Sequence, residues 1–255
     1  MIRRTLKFTG SQWFNRMENL SGKVILVTGA AKRIGRGIAL RLAREGARVA
    51  IHYSGSETEA RQTAVECGDA PIFQANLEDV SQIERLFGQL RDHFGRLDGL
   101  VNNAARFTAF DPMDITEKDW DFIHSVNLKG TFFCCQQGAK LMRESGGGRI
   151  VNISSLGGIR PWAEHVHYCA SKAGVIMLTR ALSKALAPEI TVNSVAPGVI
   201  PFGEGGERID SMIRVTPAKR AGTADEIADA VVYFLGATNF VTGQLIAVDG
   251  GLSQR

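Results

Sequence analysis

The feature that most constrains the fold is an alternation along almost the whole chain, in which short β-branched runs take turns with longer amphipathic stretches. Strands separated by helices need crossover connections, and such units lay their strands side by side in parallel. KVILVT is the first strand, and a helix is expected from Arg33 to Arg44. ARVAIHY, a helix from Glu57 to Val65, and APIFQA follow; Asp79 is placed to cap the next helix, with Gln82 three residues on. LDGLVN precedes a long helical region from Glu117 to Arg143, with a second segment starting near His124. GRIVNIS, a helix from His165 to Leu186, ITVNSV, a helix from Ala224 to Leu235 and QLIAVD complete about seven strands with helices between them. One connection breaks the rhythm. From Val199 to Thr223 the chain is expected to be long and irregular, with Gly203, Gly205 and Gly206 interleaved with Phe202, Ile209, Met212 and Ile213, and its apolar content favours a substrate lid.

The chain has 255 residues and a formal net charge of +4, which invites a nucleic-acid or membrane-surface reading. The excess has an address. Arg3, Arg4, Lys7 and Arg16 stand in the first sixteen residues with no acid, so the remainder is formally neutral; a nucleic-acid binder would need a basic stripe with stacking aromatics, and no nucleic-acid partner is expected. Residues 1–16 are expected to be a basic arm, disordered or an upstream start, with a targeting peptide the less favoured reading, and 17–255 a single NADP-binding catalytic domain. No run approaches the roughly 18 apolar residues needed to span a bilayer. Cys67, Cys134, Cys135 and Cys169 form no CxxC pair, which points to a reducing, cytoplasmic setting, and the five histidines form no metal-ligand motif.

The first strand runs into Thr28-Gly-Ala-Ala-Lys-Arg-Ile-Gly35, a turn that opens a helix and can set backbone N–H groups and the positive helix end against a pyrophosphate. Further on, NNAA begins at Asn102 after the fourth strand, and Ser155, Tyr168 and Lys172 follow in that order. Tyr168 and Lys172 are i and i+4 on a helix and share a face. A phenol with a pKa near 10 is a poor acid or base near neutrality, and a neighbouring ammonium is expected to lower that pKa.

Together these motifs resemble the short-chain dehydrogenases/reductases over essentially all of Lys23 to Leu252, which implies a single Rossmann-type α/β fold, a doubly wound parallel sheet with helices on both faces. Within that family the Ser/Tyr/Lys arrangement is similar to 3-oxoacyl-[acyl-carrier-protein] reductases, whereas TGAAKRIG, IHYSGS and NNAA look more like pteridine reductases. Pteridine reductases often carry Asp where Ser155 stands, which tilts the reading to a ketone. The resemblance implies that Tyr168 acts as the acid, Ser155 orients the carbonyl, Lys172 also holds the nicotinamide ribose, and Asn127 extends a proton relay through a water. It implies a nicotinamide dinucleotide held by Gly29, Arg33, Ile34, Gly35, Tyr53, Ser54, Asn76, Leu77, Asn103, Ala104, Tyr168, Lys172, Pro197, Gly198 and Ile200.

The chain departs from the family pattern TGxxxGxG at Arg33, where a glycine is usual, and its second strand ends at Tyr53 and Ser54 with no carboxylate before Glu57. A missing carboxylate and a gained guanidinium both suit the 2′-phosphate of NADP(H). Phe202 stands where the family frequently has Thr. The expected activity is therefore NADPH-dependent reduction of a carbonyl on a small-molecule or acyl-carrier-linked substrate. A non-catalytic NADP-binding sensor would predict damage to the Ser/Tyr/Lys set, which is intact. The resemblance also implies a homotetramer or homodimer. Cys169 reads as helix packing, and His165, His167 and Trp162 read equally as substrate-facing or as rim residues.

Overall fold

The computed structural model describes residues 17–203 and 206–254, the Arg208 side chain excepted. The basic arm and Gly205 therefore lie outside the described residues. Seven strands form one sheet: β1 (Val24–Val27), β2 (Arg48–Tyr53), β3 (Ile72–Gln74), β4 (Gly99–Asn102), β5 (Gly148–Ile153), β6 (Ile190–Pro197) and β7 (Leu245–Val248). Their order is β3-β2-β1-β4-β5-β6-β7, and every pairing is parallel. The order reverses between β1 and β4, so a crevice opens beyond the carboxyl ends of these two strands, the usual place for a ligand in such sheets.

The helices are α1 (Arg33–Arg44), α2 (Glu57–Glu66), α3 (Val80–Phe94), α4 (Glu117–His124), α5 (Thr131–Glu144), α6 (Val166–Ala185), α7 (Glu207–Val215) and α8 (Ala224–Gly236). Period-two alternation divides β1 between two apolar layers. Ile25 and Val27 pack with Ile38 and Leu42 of α1 and Val231 and Phe234 of α8. Val24 and Leu26 face Ile83, Leu86 and Leu90 of α3 and the α5 residues Cys134, Cys135 and Met142. Both faces of the sheet are thus covered, and no helix among the described residues is long and apolar enough to cross a membrane.

Three local features differ from the sequence expectation. Asp79 caps α3 by accepting from the Ser81 N–H at 2.9 Å, but Gln82 does not reach back to it as an acceptor; its Oε1 takes the Asn76 N–H at 2.9 Å. The long helical region is α4 and α5 joined by a π-helical stretch, Ser125–Gly130, that carries Asn127. The connection after β6 is not irregular throughout, because α7 occupies its middle. Ile209, Met212 and Ile213 are spaced i, i+3, i+4, a helical stripe hidden among glycines.

Candidate active site

The crevice at the switch point is built first from backbone. Gly29 has φ +63, and a Cβ there would lie 3.0 Å from the Ala104 Cα. Gly35 is tighter still, since a Cβ would fall 2.2 Å from the Gly29 oxygen and 2.5 Å from the Asn103 Nδ2. Asn103 ties the turn down by donating Nδ2 to the Thr28 and Gly29 carbonyls at 2.9 and 3.1 Å. The Thr28 hydroxyl accepts the N–H groups of Asn103 and Ala104 at 3.0 and 3.1 Å. NNAA is therefore the other wall of the nucleotide turn. His52 completes it, accepting the Gly29 N–H at Nδ1 over 3.1 Å.

The resulting cleft has a volume of about 360 Å³, and Gly29, Arg33, Ile34, Gly35, Tyr53, Ser54, Asn76, Leu77, Asn103 and Ala104 all line it. Pro197, Gly198 and Ile200 do not; they sit at and beyond the end of β6, where the Gly198 N–H donates to the Val248 carbonyl at 3.0 Å. Arg33 has φ +57, the left-handed conformation in which the family pattern has glycine, so this chain puts a cation where the backbone favours no side chain. Phe202, also on the cleft wall, lies over that cation with the guanidinium carbon 5.4 Å from its ring centroid. No carboxylate stands among the described residues lining the cleft, and the first turn of α1 contains no acid. Cations, the start of an α-helix and glycine-permitted close approach fit a dinucleotide's phosphates.

The second half of the site lies on β5 and α6. Ser155 follows β5, and its Oγ accepts the Gly157 N–H at 3.0 Å. Tyr168 and Lys172 lie one turn apart on α6, with the Lys172 Nζ 5.8 Å from the phenol ring centroid and donating to the Ile153 carbonyl at 2.9 Å. Both are buried. Burial pushes the Tyr168 phenol up to about 12 while hydrogen bonding with Ser155 opposes the rise, and it pushes the Lys172 ammonium down to about 8. The expected lowering of the phenol by Lys172 is not seen here: desolvation dominates, and the opposing influence is the Ser155 hydrogen bond rather than the ammonium. The phenol is instead held fully protonated at neutral pH, which suits an acid.

Asn127 is fully engaged. Its Oδ1 accepts the Arg106 N–H at 2.7 Å, and its Nδ2 donates to the Arg106 carbonyl at 3.0 Å and to the Ser171 hydroxyl at 3.2 Å. Ser171 in turn donates to the Tyr168 carbonyl at 2.7 Å, so the side chain of Asn127 reaches the tyrosine helix through Ser171 and makes no hydrogen bond to Lys172.

Sequence reasoning weighed His165 and Trp162 one by one but missed Phe107 and the wall these rings form together. Phe107 stacks on His165 at 4.4 Å and meets the Tyr168 ring edge-on at 4.7 Å, while Trp162 lies parallel to Tyr168 at 6.3 Å. Two histidines fasten the Phe107 segment to α6: His165 Nδ1 lies 2.8 Å from the Thr108 carbonyl, and His167 Nε2 lies 2.7 Å from the Thr108 hydroxyl. Arg106, also missed, lines the cofactor cleft and pairs with Glu78 at 2.8 Å. The segment after β4 therefore serves both halves of the site.

Comparison with known proteins agrees with this geometry. The family model described as "Enoyl-(Acyl carrier protein) reductase" matches residues 29–253. The chain is 38% identical over 240 residues to the 3-oxoacyl-[acyl-carrier-protein] reductase FabG of Staphylococcus aureus (strain N315), covering 90% of this chain and 98% of that protein. It is 36% identical to the 3-oxoacyl-[acyl-carrier-protein] reductase of Synechocystis sp., covering 92% and 99%. A solved short-chain dehydrogenase/reductase from Serratia marcescens superposes with a TM-score of 0.87 at 34% identity, over 92% of this chain and all (100%) of that one. With the nucleotide turn, the parallel seven-stranded sheet and the Ser155/Tyr168/Lys172 order all present, the chain belongs to the short-chain dehydrogenase/reductase family, as a nicotinamide-dependent oxidoreductase of C=O and CH–OH groups.

Proposed function

We propose that the protein is an NADPH-dependent reductase of a ketone on a 3-oxoacyl thioester. The observation that carries the cofactor choice is the cleft itself, which holds Lys32 and Arg33 beside the neutral strand end Tyr53-Ser54 and has no carboxylate among its described lining residues. Guanidinium pairs with a phosphate dianion in a charge-assisted fork, whereas a ribose 2′-hydroxyl calls for an acceptor that this strand end lacks. In this reading Lys172 holds the nicotinamide ribose, and Pro197, Gly198 and Ile200, at and beyond the end of β6, bound that end of the site.

When bound, the cofactor supplies a hydride. The chain's own residues supply the rest. Ser155 holds the ketone oxygen through its hydroxyl, and Tyr168 gives its phenolic proton to that oxygen as the carbon is reduced, leaving an alcohol and a phenolate. Lys172, the cation closest in sequence on that helix face, stabilises the phenolate by charge. Asn127, through Ser171, fixes the pitch of α6 at the tyrosine and borders a route for proton resupply.

Free thiols at Cys67, Cys134, Cys135 and Cys169 support a reducing, cytoplasmic location. Exposed Trp120, Phe122 and Phe132 along α4 and α5 support assembly into a homodimer or homotetramer. The chemistry calls for no metal, nucleic acid or membrane as partner.

A second reading, reduction of a pterin or dihydrofolate, is favoured by one observation: Phe107 and Trp162 present flat faces and edges beside Tyr168, where a planar ring could stack. Parallel assays separate the two. NADPH oxidation with acetoacetyl-CoA and none with dihydrobiopterin is the expected result; the reverse pattern overturns the ketone reading, and equal rates with NADH overturn the cofactor choice.

A further inference from the structure

The buried imidazole of His52 is not used by the proposed reaction, yet it joins three parts of the cofactor cleft. It belongs to β2, is 1% exposed, and bonds through both ring nitrogens. Nδ1 faces the Gly29 N–H in the β1–α1 turn at 3.1 Å, and Nε2 faces the Ala75 carbonyl just past β3 at 3.0 Å. A carbonyl only accepts, so Nε2 carries the proton; an N–H only donates, so Nδ1 is bare. One neutral tautomer satisfies both neighbours, and neither the other tautomer nor the cation does.

We propose that His52 is a positioning residue for the dinucleotide turn: its neutral Nε2–H ring fixes Gly29 against the ends of β2 and β3 and so sets the affinity for a dinucleotide pyrophosphate. This rests on the nicotinamide-cofactor reading of the same cleft. The ring takes the Gly29 N–H out of play and aims the turn, which leaves the first N–H groups of α1 to meet the phosphates. Protonation would set two N–H groups against each other and push Gly29 off its seat.

The charged groups sharing the cleft would not hold a charged ring. Lys32 and Arg33 come from the start of α1 and Arg106 from the segment after β4, all cations; Tyr53 is its neighbour on β2. Beyond β3, Glu78 is paired with Arg106 and Asp79 accepts from Ser81. Burial accordingly holds the ring well below the ordinary histidine range, at about 4.

The test is binding of NADP⁺ and NAD⁺ by full-length wild type, His52→Leu and His52→Gln, from pH 7.5 to 3.5, alongside melting temperature. Leu should weaken both dinucleotides about tenfold or more by removing two buried hydrogen bonds, with a rise in cofactor KM larger than any fall in kcat. Gln, with a donor and an acceptor, should recover part of the loss. Wild-type affinity should show an acid limb that Leu lacks; the 2′-phosphate, with a second pKa of about 6, titrates alike in every variant and cancels in the difference. Unchanged affinity in Leu, or an identical acid limb in both proteins, overturns the proposal. If Leu does not fold, ring ¹⁵N shifts in the wild type decide: a neutral Nε2–H tautomer at pH 5 with a slowly exchanging Gly29 amide supports it, and an Nδ1–H tautomer or a charged ring overturns it. Wild type that binds NAD⁺ but not NADP⁺ removes the 2′-phosphate reading and leaves the His52 test standing on NAD⁺; binding of neither overturns both.

Discussion

The two halves of the site are built by different means. The cofactor half is mostly backbone: Gly29 and Gly35 where no Cβ fits, the Thr28 hydroxyl under two amides, and N–H groups of a helix start. The acid half is side chains on side chains, with Ser155, Tyr168 and Lys172 buried behind Phe107, Trp162 and His165. Backbone N–H groups bind any phosphate-bearing nucleotide alike, and a single substitution there shifts affinity or preference. Buried ionisable groups carry the reaction, and a single substitution there stops it. The largest expected effect is therefore Tyr168→Phe, which keeps the ring and removes the acid. Reduction should fall on the order of 10³-fold while NADP⁺ affinity stays within about twofold, measured by steady-state rates and by titration. Retained activity would mean that the halves are not divided in this way.

The pH dependence sharpens the same division. Burial holds the Lys172 ammonium at about 8 and the Tyr168 phenol at about 12. As pH rises through 8 the lysine loses its charge while the tyrosine keeps its proton. Thus kcat/KM for reduction, which reports groups of the free enzyme, should fall on an alkaline limb near 8 by about tenfold per pH unit. An activity flat to pH 10 would show that the lysine charge is not needed once the phenol is loaded.

In the cofactor half the corresponding change is Arg33→Ala. Losing a charge-assisted pair with the 2′-phosphate should raise the KM for NADPH roughly 10-fold or more and leave that for NADH unchanged, so the ratio of the two reads the guanidinium alone. Smaller still is Trp162→Ala, which removes one face of the ring wall and leaves the Tyr168 hydroxyl in place. A few-fold rise in substrate KM at constant kcat is expected, in line with about 0.5–1.5 kcal/mol for an aromatic contact. A fall in kcat instead would place Trp162 in holding Tyr168 rather than the substrate.

What could be read from the sequence follows the same line. The strands, their parallel arrangement and the nucleotide turn are local patterns, because β-branched runs and a glycine after a strand carry their own geometric consequence. Ten of the residues expected at the cofactor gather in one cleft. The ring wall could be read only in part: His165 and Trp162 stand close in sequence to Tyr168, but Phe107 meets His165 across 58 positions and nothing local in RFTAF announces it. His52 was hidden for a related reason: a histidine inside an apolar strand looks like core until both of its partners, in the turn before it and the strand after it, are known. The direction of the Tyr168 shift was missed because sequence displays the lysine one turn away but not the depth of burial, and burial wins. The helix α7, by contrast, was legible in the spacing of Ile209, Met212 and Ile213 and was masked only by the glycines before it.

The smallest effect tests whether charge and backbone act separately at one position. Arg33 combines a guanidinium that serves the cofactor half with φ +57, a conformation that costs a residue with a Cβ about 1–2 kcal/mol. Arg33→Ala and Arg33→Gly both delete the charge and the contact with Phe202, but only glycine relieves the backbone. Glycine also carries more unfolded-state freedom, about 0.5–1 kcal/mol, so the net advantage of Gly over Ala should lie between zero and about 1.5 kcal/mol, at most roughly 3–6 °C in melting temperature. The two variants should bind NADPH equally weakly. If Gly instead recovers NADPH binding relative to Ala, then the turn's conformation and not the charge sets the affinity, and Arg33 belongs with the backbone features of its half of the site.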